Sequence, residues 1–456
     1  MQDKDYFFGC TPVTLEQVLQ VRERRAVRQK ELAVKYTQPV ITIKLNIPGE
    51  IKSYPLAEQA FSEALAVIFR QLTRNGIKYE YIEEPQTVTG FEGFVCADSE
   101  PAILKNLMME IEDRHPLGRL FDFDVIDETG TILPGSTFGR EERTCLLCEN
   151  PVWVCARSRK HSAEELASET ARRIDRFFTN AFTEKVAKTA LRALLYEASI
   201  TPKPGLVDRC NSGAHKDMDF FTFVDSAGAL VFFFKKMAQA GVNHFGLPET
   251  LLPCLRFDGQ EAESIMRKIT GGVNTHKGAI FSLGILCASC GILYRDGQKP
   301  NEDTLALTCG KIAGSIKHDF EDTIFPSTHG MDAFASYAIT GARGEAAAGF
   351  PCVFKHAFPH LRILYKNGAS LNDAGAAALI MLISIVNDTN IIHRKGIEVL
   401  RRIQAEAADM IVQYPGSPIP AIILHQLDNH YISHNISPGG SADMLALCFF
   451  LLFLTD

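Results

Sequence analysis

The sequence predicts two domains, an α+β domain followed by an all-α helical domain, and three observations carry that prediction. The chain has 456 residues, 46% hydrophobic and 22% charged, which is more than one hydrophobic core normally organises. Up to about residue 160, β-branched alternating runs are interleaved with helical stretches. Beyond it the apolar spacing is helical to the end. No Gly/Ser-rich or Pro-rich linker marks the change, so the join is expected between 160 and 180, with a rigid helix as a candidate connection. The expected domains are 1–178 and 179–456.

Taken in order, residues 14–35 have apolar residues at helical intervals and a basic face of Arg22, Arg24, Arg25 and Arg28. PVITIKLNIPGEIK (39–52) changes to a period of two and then turns at Pro48-Gly49, which reads as a strand feeding a loop. A short strand, a helix over about 101–113 and a second strand over about 119–126 complete the α+β part. The helical part has long apolar helices at 222–240, 278–294, 374–386 and 443–454, alternating with polar, glycine-containing loops. Its chemistry is therefore expected in the loops. The stretches at 278–294 and 443–454 are either diluted by Gly, Ser and Cys or shorter than the ~20 residues of a membrane span, so both read as buried helices.

A net charge of −7 offers no general polyanion-binding surface, which argues against nucleic acid as a partner. The start MQDKDYFFGC lacks a basic segment leading into an apolar run, so a cytoplasmic location is expected. Twelve scattered cysteines do not suggest a disulfide scaffold.

Three groups of residues point to chemistry. In GRLFDFDVID (118–127), Asp122 and Asp124 are two apart on a strand and share one face, behind Gly118 and Arg119. Two parallel carboxylates suit a magnesium clamp of the kind nucleotidyl transfer needs. Cys145, Cys148, Cys155 and His161 follow with spacing C-x₂-C-x₆-C-x₅-H, a candidate structural zinc site whose alternative is a set of reduced thiols beside a basic loop.

The third group is a shared loop vocabulary. EASITPKPGLVDRCNSGAHKDMDF (197–220) carries Lys203, Asp208, Asn211, His215 and Asp217. TGGVNTHKGAIF (270–281) carries Gly271, Gly272, Asn274, His276 and Lys277 ahead of an apolar helix starting near Ala279, with Asn274 or Thr275 as cap. GARGEAAAGFP (341–351) adds Arg343 and Glu345, and NDTNIIHRKG (387–396) adds Asp388 and Arg394. NISPGGSADMLA (435–446) repeats the glycine-loop design with Gly439, Gly440, Ser441 as candidate cap and Asp443 in the first turn. Two glycine-loop helix starts suit two phosphate groups, because free backbone N–H groups face the ligand there.

These motifs resemble a known pair of enzymes. TPKPGLVDRCNSGAHKDMDF, TGGVNTHKGAIF, GARGEAAAGFP and NISPGGSADMLA resemble triphosphoribosyl-dephospho-CoA synthase over about 180–456. LNIPGEIK, HPLGRLFDFDVID and CLLCENPVWVCARSRKH are similar to the apo-citrate lyase phosphoribosyl-dephospho-CoA transferase over about 10–178, and the whole chain resembles the fused, bifunctional form. The resemblance implies a nucleotidyltransferase-like first domain. It implies ATP and 3′-dephospho-CoA as substrates, adenine and pyrophosphate as released products, and the citrate lyase acyl carrier protein (gamma subunit) as partner.

It also sorts the candidates. Lys203, Lys277 and Arg343 would bind phosphate, within a nucleotide-binding set that includes Asn211, His215, Gly271, Gly272, Asn274, His276, Arg394, Gly439, Gly440 and Ser441. Asp208 or Asp388 would help hold magnesium, and Glu345 or Asp217 would act as general base or cation stabiliser. Asp122 and Asp124 would hold magnesium for the transfer step while Arg119 counters phosphate charge. The competing readings are the same chemistry serving malonate decarboxylase, a hydrolase of nucleotide–ribose bonds, and a zinc-stapled nucleotide-binding regulator without turnover.

Overall fold

A computed structural model describes residues 5–83, 86–139, 143–316 and 334–454. Its contacts divide the chain into Met1–Asn180 and Ala181–Asp456, and the boundary falls inside one helix, Ala163–Ser199.

The first unit is α+β. Strands β1 (Val40–Leu45), β2 (Tyr79–Glu83), β3 (Glu92–Ala97) and β4 (Phe121–Ile126) form an antiparallel sheet in the order β2-β3-β1-β4. One face carries Ile41, Ile43, Val95, Phe121, Phe123 and Val125, packed with Ala57, Ala64 and Ile68 of helix Pro55–Arg74 and Leu104 and Met108 of helix Pro101–Arg114. The opposite face places Val40, Phe94, Cys96 and Ile126 against Leu32 and Ala33 of helix Leu15–Tyr36. That helix opens with a capping box between Thr14 and Gln17. The helix Pro55–Arg74 and strand β2 had no counterpart in the sequence reading.

The second unit is helical throughout its described residues, around the central helix Lys277–Arg295. By length and apolarity this helix could cross a membrane, yet 78% of its apolar window is buried inside the protein. Its tightest neighbour is Val231–Asn243. A Cβ on Gly241 would lie 2.1 Å from the Ala288 carbonyl oxygen, and one on Gly291 would lie 2.1 Å from that of Ala238. Two glycines thus let the backbones touch, an approach no larger residue permits. The helices Leu371–Ile385 and Gly439–Leu454 are also strongly apolar.

The apolar stretch 222–240 is two helices, Phe220–Ala229 and Val231–Asn243, broken at Leu230, whose N–H bonds the Ala227 carbonyl. Apolar content carries no capping signal, so the break was invisible in the periodicity.

Candidate functional sites

In the first unit, strand β4 alternates as its sequence requires: Phe121, Phe123 and Val125 are buried, while Asp122 and Asp124 keep 41% and 32% of their side chains exposed. Pairing in register places Lys44 of β1 opposite Asp122, with Glu92 of β3 on the other side of Lys44. The Lys44 Nζ lies 3.1 Å from Asp122 Oδ2 and also bonds Asp124, so the two carboxylates already share a cation. Glu92 takes Arg25 and, at 3.7 Å, Arg24 from helix Leu15–Tyr36. Two of the four arginines of that basic face are thereby committed to the sheet.

β4 is an edge strand, and an edge leaves backbone groups without strand partners. At Phe123, between the two aspartates, the N–H donates to Glu112 Oε1 at 2.8 Å and the carbonyl accepts from Lys105 Nζ at 3.3 Å. Both side chains come from helix Pro101–Arg114 and are buried. Glu112 is held in turn by Arg143 at 2.8 Å. Arg119 donates to the Thr144 carbonyl oxygen. Beyond Thr144, the ligand atoms of Cys145, Cys148, Cys155 and His161 gather within 4.8 Å of one another.

In the second unit, five of the loops named from sequence meet around one cavity of about 890 Å³, within the usual size of a small-molecule site. Its lining includes Lys203, His215, Asp217, Asn274, His276, Lys277, Arg343, Glu345, Asp388, Arg394, Gly439 and Gly440. It also includes Glu197, Gly278 and Asp443, which the sequence reading did not place in a site. Acidic residues supply a buried part of the wall, through Glu197 and Asp388, while Lys277 and Arg394 are exposed.

The helix starts work differently from expectation. Helix Gly439–Leu454 begins at Gly439, so its two glycines form the first turn and Ser441 is no cap. What sits there is Asp388: Oδ2 accepts from the Ser441 N–H at 3.0 Å while Oδ1 accepts from the Asn390 N–H, capping helix Thr389–Lys395 as well. A Cβ on Gly440 would stand 3.1 Å from that carboxylate. Helix Lys277–Arg295 receives Asp443 in the same way. Its carboxylate is hydrogen-bonded by the Ala279 N–H, and a Cβ on Gly278 would lie 1.8 Å from Asp443 Oδ2. Both helix N-termini read as phosphate sites are thus filled by the protein's own carboxylates, which the macrodipole favours for the same electrostatic reason as a phosphate.

Burial and the nearby Glu197 and Asp388 push the Asp443 carboxyl well above the usual carboxylate range. Burial also raises Asp388, partly offset by its backbone N–H donors. His276 is pushed down to about 3 by burial and by Lys203. Its Nδ1 lies 2.7 Å from Ser226 Oγ, which accepts from Thr275, while its Nε2 is buried with no hydrogen-bond partner among the described residues. His215 is also lowered, by burial and then by Arg394, and its Nε2 lies 2.8 Å from Ser437 Oγ.

Several sequence candidates fall elsewhere. Asp208 is buried outside the lining, and its oxygens accept from the N–H groups of Lys203, Cys210 and Asn211. Asn211 donates to Asp428 and accepts from Gly213, bracing the loop. Gly271 and Gly272 have φ of +66° and +98° and end helix Leu252–Ile269, with nothing within 4 Å of an added Cβ. They shape the turn after that helix and are not among the residues that line the cavity. Asn274 does assist the helix start, accepting from the Lys277 N–H, whereas Thr275 is turned to Ser226. Lys203 lines the cavity, but its ammonium is held by Glu197 Oε1 at 2.6 Å, and Lys277 pairs with Glu263 at 3.1 Å.

A cavity lined by carboxylates and cations in one unit, and a carboxylate pair on a partly exposed sheet face in the other, describe an enzyme with two separate sites for charged substrates. Residues 183–456 match the family ATP:dephospho-CoA triphosphoribosyl transferase, and residues 13–177 match apo-citrate lyase phosphoribosyl-dephospho-CoA transferase. The chain is 35% identical to Protein CitXG of Haemophilus influenzae over 96% of both chains. It is 34% identical to Protein CitXG of Leuconostoc mesenteroides subsp. cremoris over 98% of both. It is also 36% identical to 2-(5''-triphosphoribosyl)-3'-dephosphocoenzyme-A synthase of Haemophilus ducreyi, over 68% of this chain and 99% of that one. The chain belongs to the family of fused bifunctional transferases that synthesise the citrate lyase prosthetic group and attach it. The citrate lyase transferase match disfavours the malonate decarboxylase reading, and two transferase matches disfavour a regulator without turnover.

Proposed function

We propose that the cavity of the helical unit is where ATP and 3′-dephospho-CoA are joined, and that the Asp122–Asp124 face is where the product is transferred to the carrier protein. The convergence of five sequence-distant loops on one cavity is the observation that carries the first half. In the synthase step a ribose hydroxyl of dephospho-CoA displaces adenine from the anomeric carbon of ATP. The hydroxyl loses a proton and the departing base gains one. Asp443, whose carboxyl is pushed well above the usual carboxylate range by burial and by Glu197 and Asp388, is the proton donor. Glu345, which accepts from the Cys352 N–H and lines the cavity, takes the hydroxyl proton, and Asp217 at the exposed part of the lining is the alternative base. Lys277, Arg343 and Arg394 hold the triphosphate.

Magnesium fits both places by the chemistry of the donors. The Asp122–Asp124 pair already holds the ammonium of Lys44, and carboxylate oxygens are the ligands a hard divalent ion takes. In the cavity, Asp388 and Glu197 are the carboxylates whose charge bears on Asp443, and a divalent cation beside them would offset that charge. The ion supplies charge neutralisation for the phosphates. In the transfer step, a serine of the citrate lyase acyl carrier protein, its gamma subunit, attacks the α-phosphorus of the triphosphoribosyl intermediate. Pyrophosphate leaves, and Arg119 steadies the phosphate charge. The arrangement of the first unit is read as nucleotidyltransferase-like. Cys145, Cys148, Cys155 and His161 are read as a structural zinc site, in a cytoplasmic setting that keeps the thiols reduced.

The test is to incubate the protein with ATP, magnesium and 3′-dephospho-CoA and to follow adenine and product mass. Free adenine with triphosphoribosyl-dephospho-CoA is expected, and subsequent addition of apo carrier protein should release pyrophosphate. Adenine without coupled product would make the cavity a nucleoside-bond hydrolase, and no adenine from folded protein would refute the assignment.

A further inference from the structure

The cysteine–histidine cluster is tied to the transferase strand by two routes that leave from its first residues. Thr144, adjacent to Cys145, holds Arg119 through its carbonyl oxygen. Arg143, one residue earlier, holds Glu112 at 2.8 Å, and Glu112 accepts the Phe123 N–H between Asp122 and Asp124 at 2.8 Å. A third tie anchors the loop itself: Arg173 of helix Ala163–Ser199 donates to the Leu146 carbonyl oxygen at 2.6 Å.

The four ligand atoms of the cluster lie within 4.8 Å of one another, near enough for one ion to reach all of them. Cys148 Sγ lies 3.4 Å from Cys155 Sγ and 3.3 Å from His161 Nε2. Zinc–sulfur bonds of ~2.3 Å would set tetrahedral sulfurs about 3.8 Å apart, so a small expansion admits the ion. The Leu147 N–H points at Cys145 Sγ at 3.5 Å. Helix Val152–Ser158 carries Cys155 and stops at Arg159 with φ 47°, which turns the chain so that His161 returns to the sulfurs. The segment has little core of its own: Leu147, Val152 and Trp153 are 36%, 44% and 50% exposed, and Cys155 is buried. Where a segment buries so little apolar surface, bound metal supplies the folding free energy.

We infer that zinc held by Cys145, Cys148, Cys155 and His161 is a positioning device for the transferase site, fixing Arg143 and Thr144 and through them Arg119 and the Asp122–Asp124 strand. The inference rests on the zinc reading of the cluster and adds that metal occupancy controls carrier transfer and leaves synthesis alone. The metal touches no substrate and acts through the two ties.

The experiment uses the full chain, purified without chelator. Metal is measured by mass spectrometry, adenine release reports the synthase, and transfer to carrier protein is measured with preformed intermediate. Wild type should hold about one zinc per chain, and Cys148→Ser should lose it together with about 10–100-fold in transfer kcat, the range for groups that orient a site from behind. Adenine release should stay at the wild-type rate. Cys148→His, which restores a zinc ligand, should regain both metal and transfer, and cobalt(II) in the wild type should show the visible absorption of a tetrahedral thiolate site. No zinc in the wild type, or a Cys148–Cys155 disulfide seen by mass, overturns the zinc reading and the inference together. Zinc lost from Cys148→Ser with transfer unchanged overturns the inference alone, as does equal loss of both activities in the serine and histidine variants.

Discussion

Replacing Lys203 by Met separates two accounts of a residue at the cavity wall. Sequence makes Lys203 a phosphate ligand; the structure makes it the counter-ion of Glu197. The two side chains are 1% and 4% exposed, and Nζ lies 2.6 Å from Glu197 Oε1 and 3.0 Å from the Glu197 carbonyl oxygen. Taking one partner from a buried pair leaves the other charge uncompensated in a poorly solvated place and costs about 3–5 kcal/mol. At roughly 2–4 °C per kcal/mol for a unit of this size, Lys203→Met should lower the melting temperature by about 6–20 °C without any ligand present. The assay is thermal unfolding by circular dichroism, beside a cycle with Glu197→Gln and the double variant. The double variant should recover part of the loss, because no lone buried charge remains. A melting temperature within about 2 °C of wild type, with a raised KM for ATP, would refute the ion-pair account and return Lys203 to the phosphate site.

Three further predictions test the sites. Gly278→Ala would put a Cβ 1.8 Å from Asp443 Oδ2, so the carboxylate must move; adenine release should fall about 100-fold, as misplacement by an ångström can do. A normal rate would show that the position of Asp443 is immaterial. Asp122→Asn should abolish transfer to carrier protein from supplied intermediate while adenine release continues. Loss of both from folded protein would refute the division of labour. His276 has a folded pKa of about 3 against an ordinary 6.5. The unfolded chain therefore binds a proton that the folded one does not, and stability present above pH 6.5 is lost as pH falls from 6.5 toward 3. His276→Gln should flatten that part of a stability–pH curve, and an unchanged slope between those limits would show that His276 does not contribute.

Much of the fold was legible because local chemistry announces itself. The period of two at Val40–Leu45 and in FDFD set which side chains share a sheet face, and Asp122 and Asp124 stand on it together. The tight spacing of Cys145, Cys148, Cys155 and His161 was enough to single out a cluster that the structure closes. Helical periodicity found the apolar helices but merged Phe220–Ala229 with Val231–Asn243, where no proline marks the break and the apolar spacing runs on. Lys44 was missed because its role exists only in register, opposite Asp122. Glu197, Gly278 and Asp443 lay within or beside the recognised motifs, yet nothing in one dimension says which acid faces which helix.

The sequence by itself determined the two-part organisation, the apolar faces, the carboxylate pair on β4 and the loop residues from which the cavity is lined, since period, turn chemistry and spacing are local properties of the chain. Only the tertiary structure decided that Asp388 and Asp443 occupy the two helix starts reserved for phosphates, and that Lys203 belongs to Glu197. It likewise decided that Asp208 and Asn211 brace a loop. The reason is physical: a helix N-terminus specifies negative charge but not its source. A phosphate and a carboxylate from a distant part of the chain satisfy it equally, as Asp443 does for the helix that starts at Lys277, and packing chooses between them.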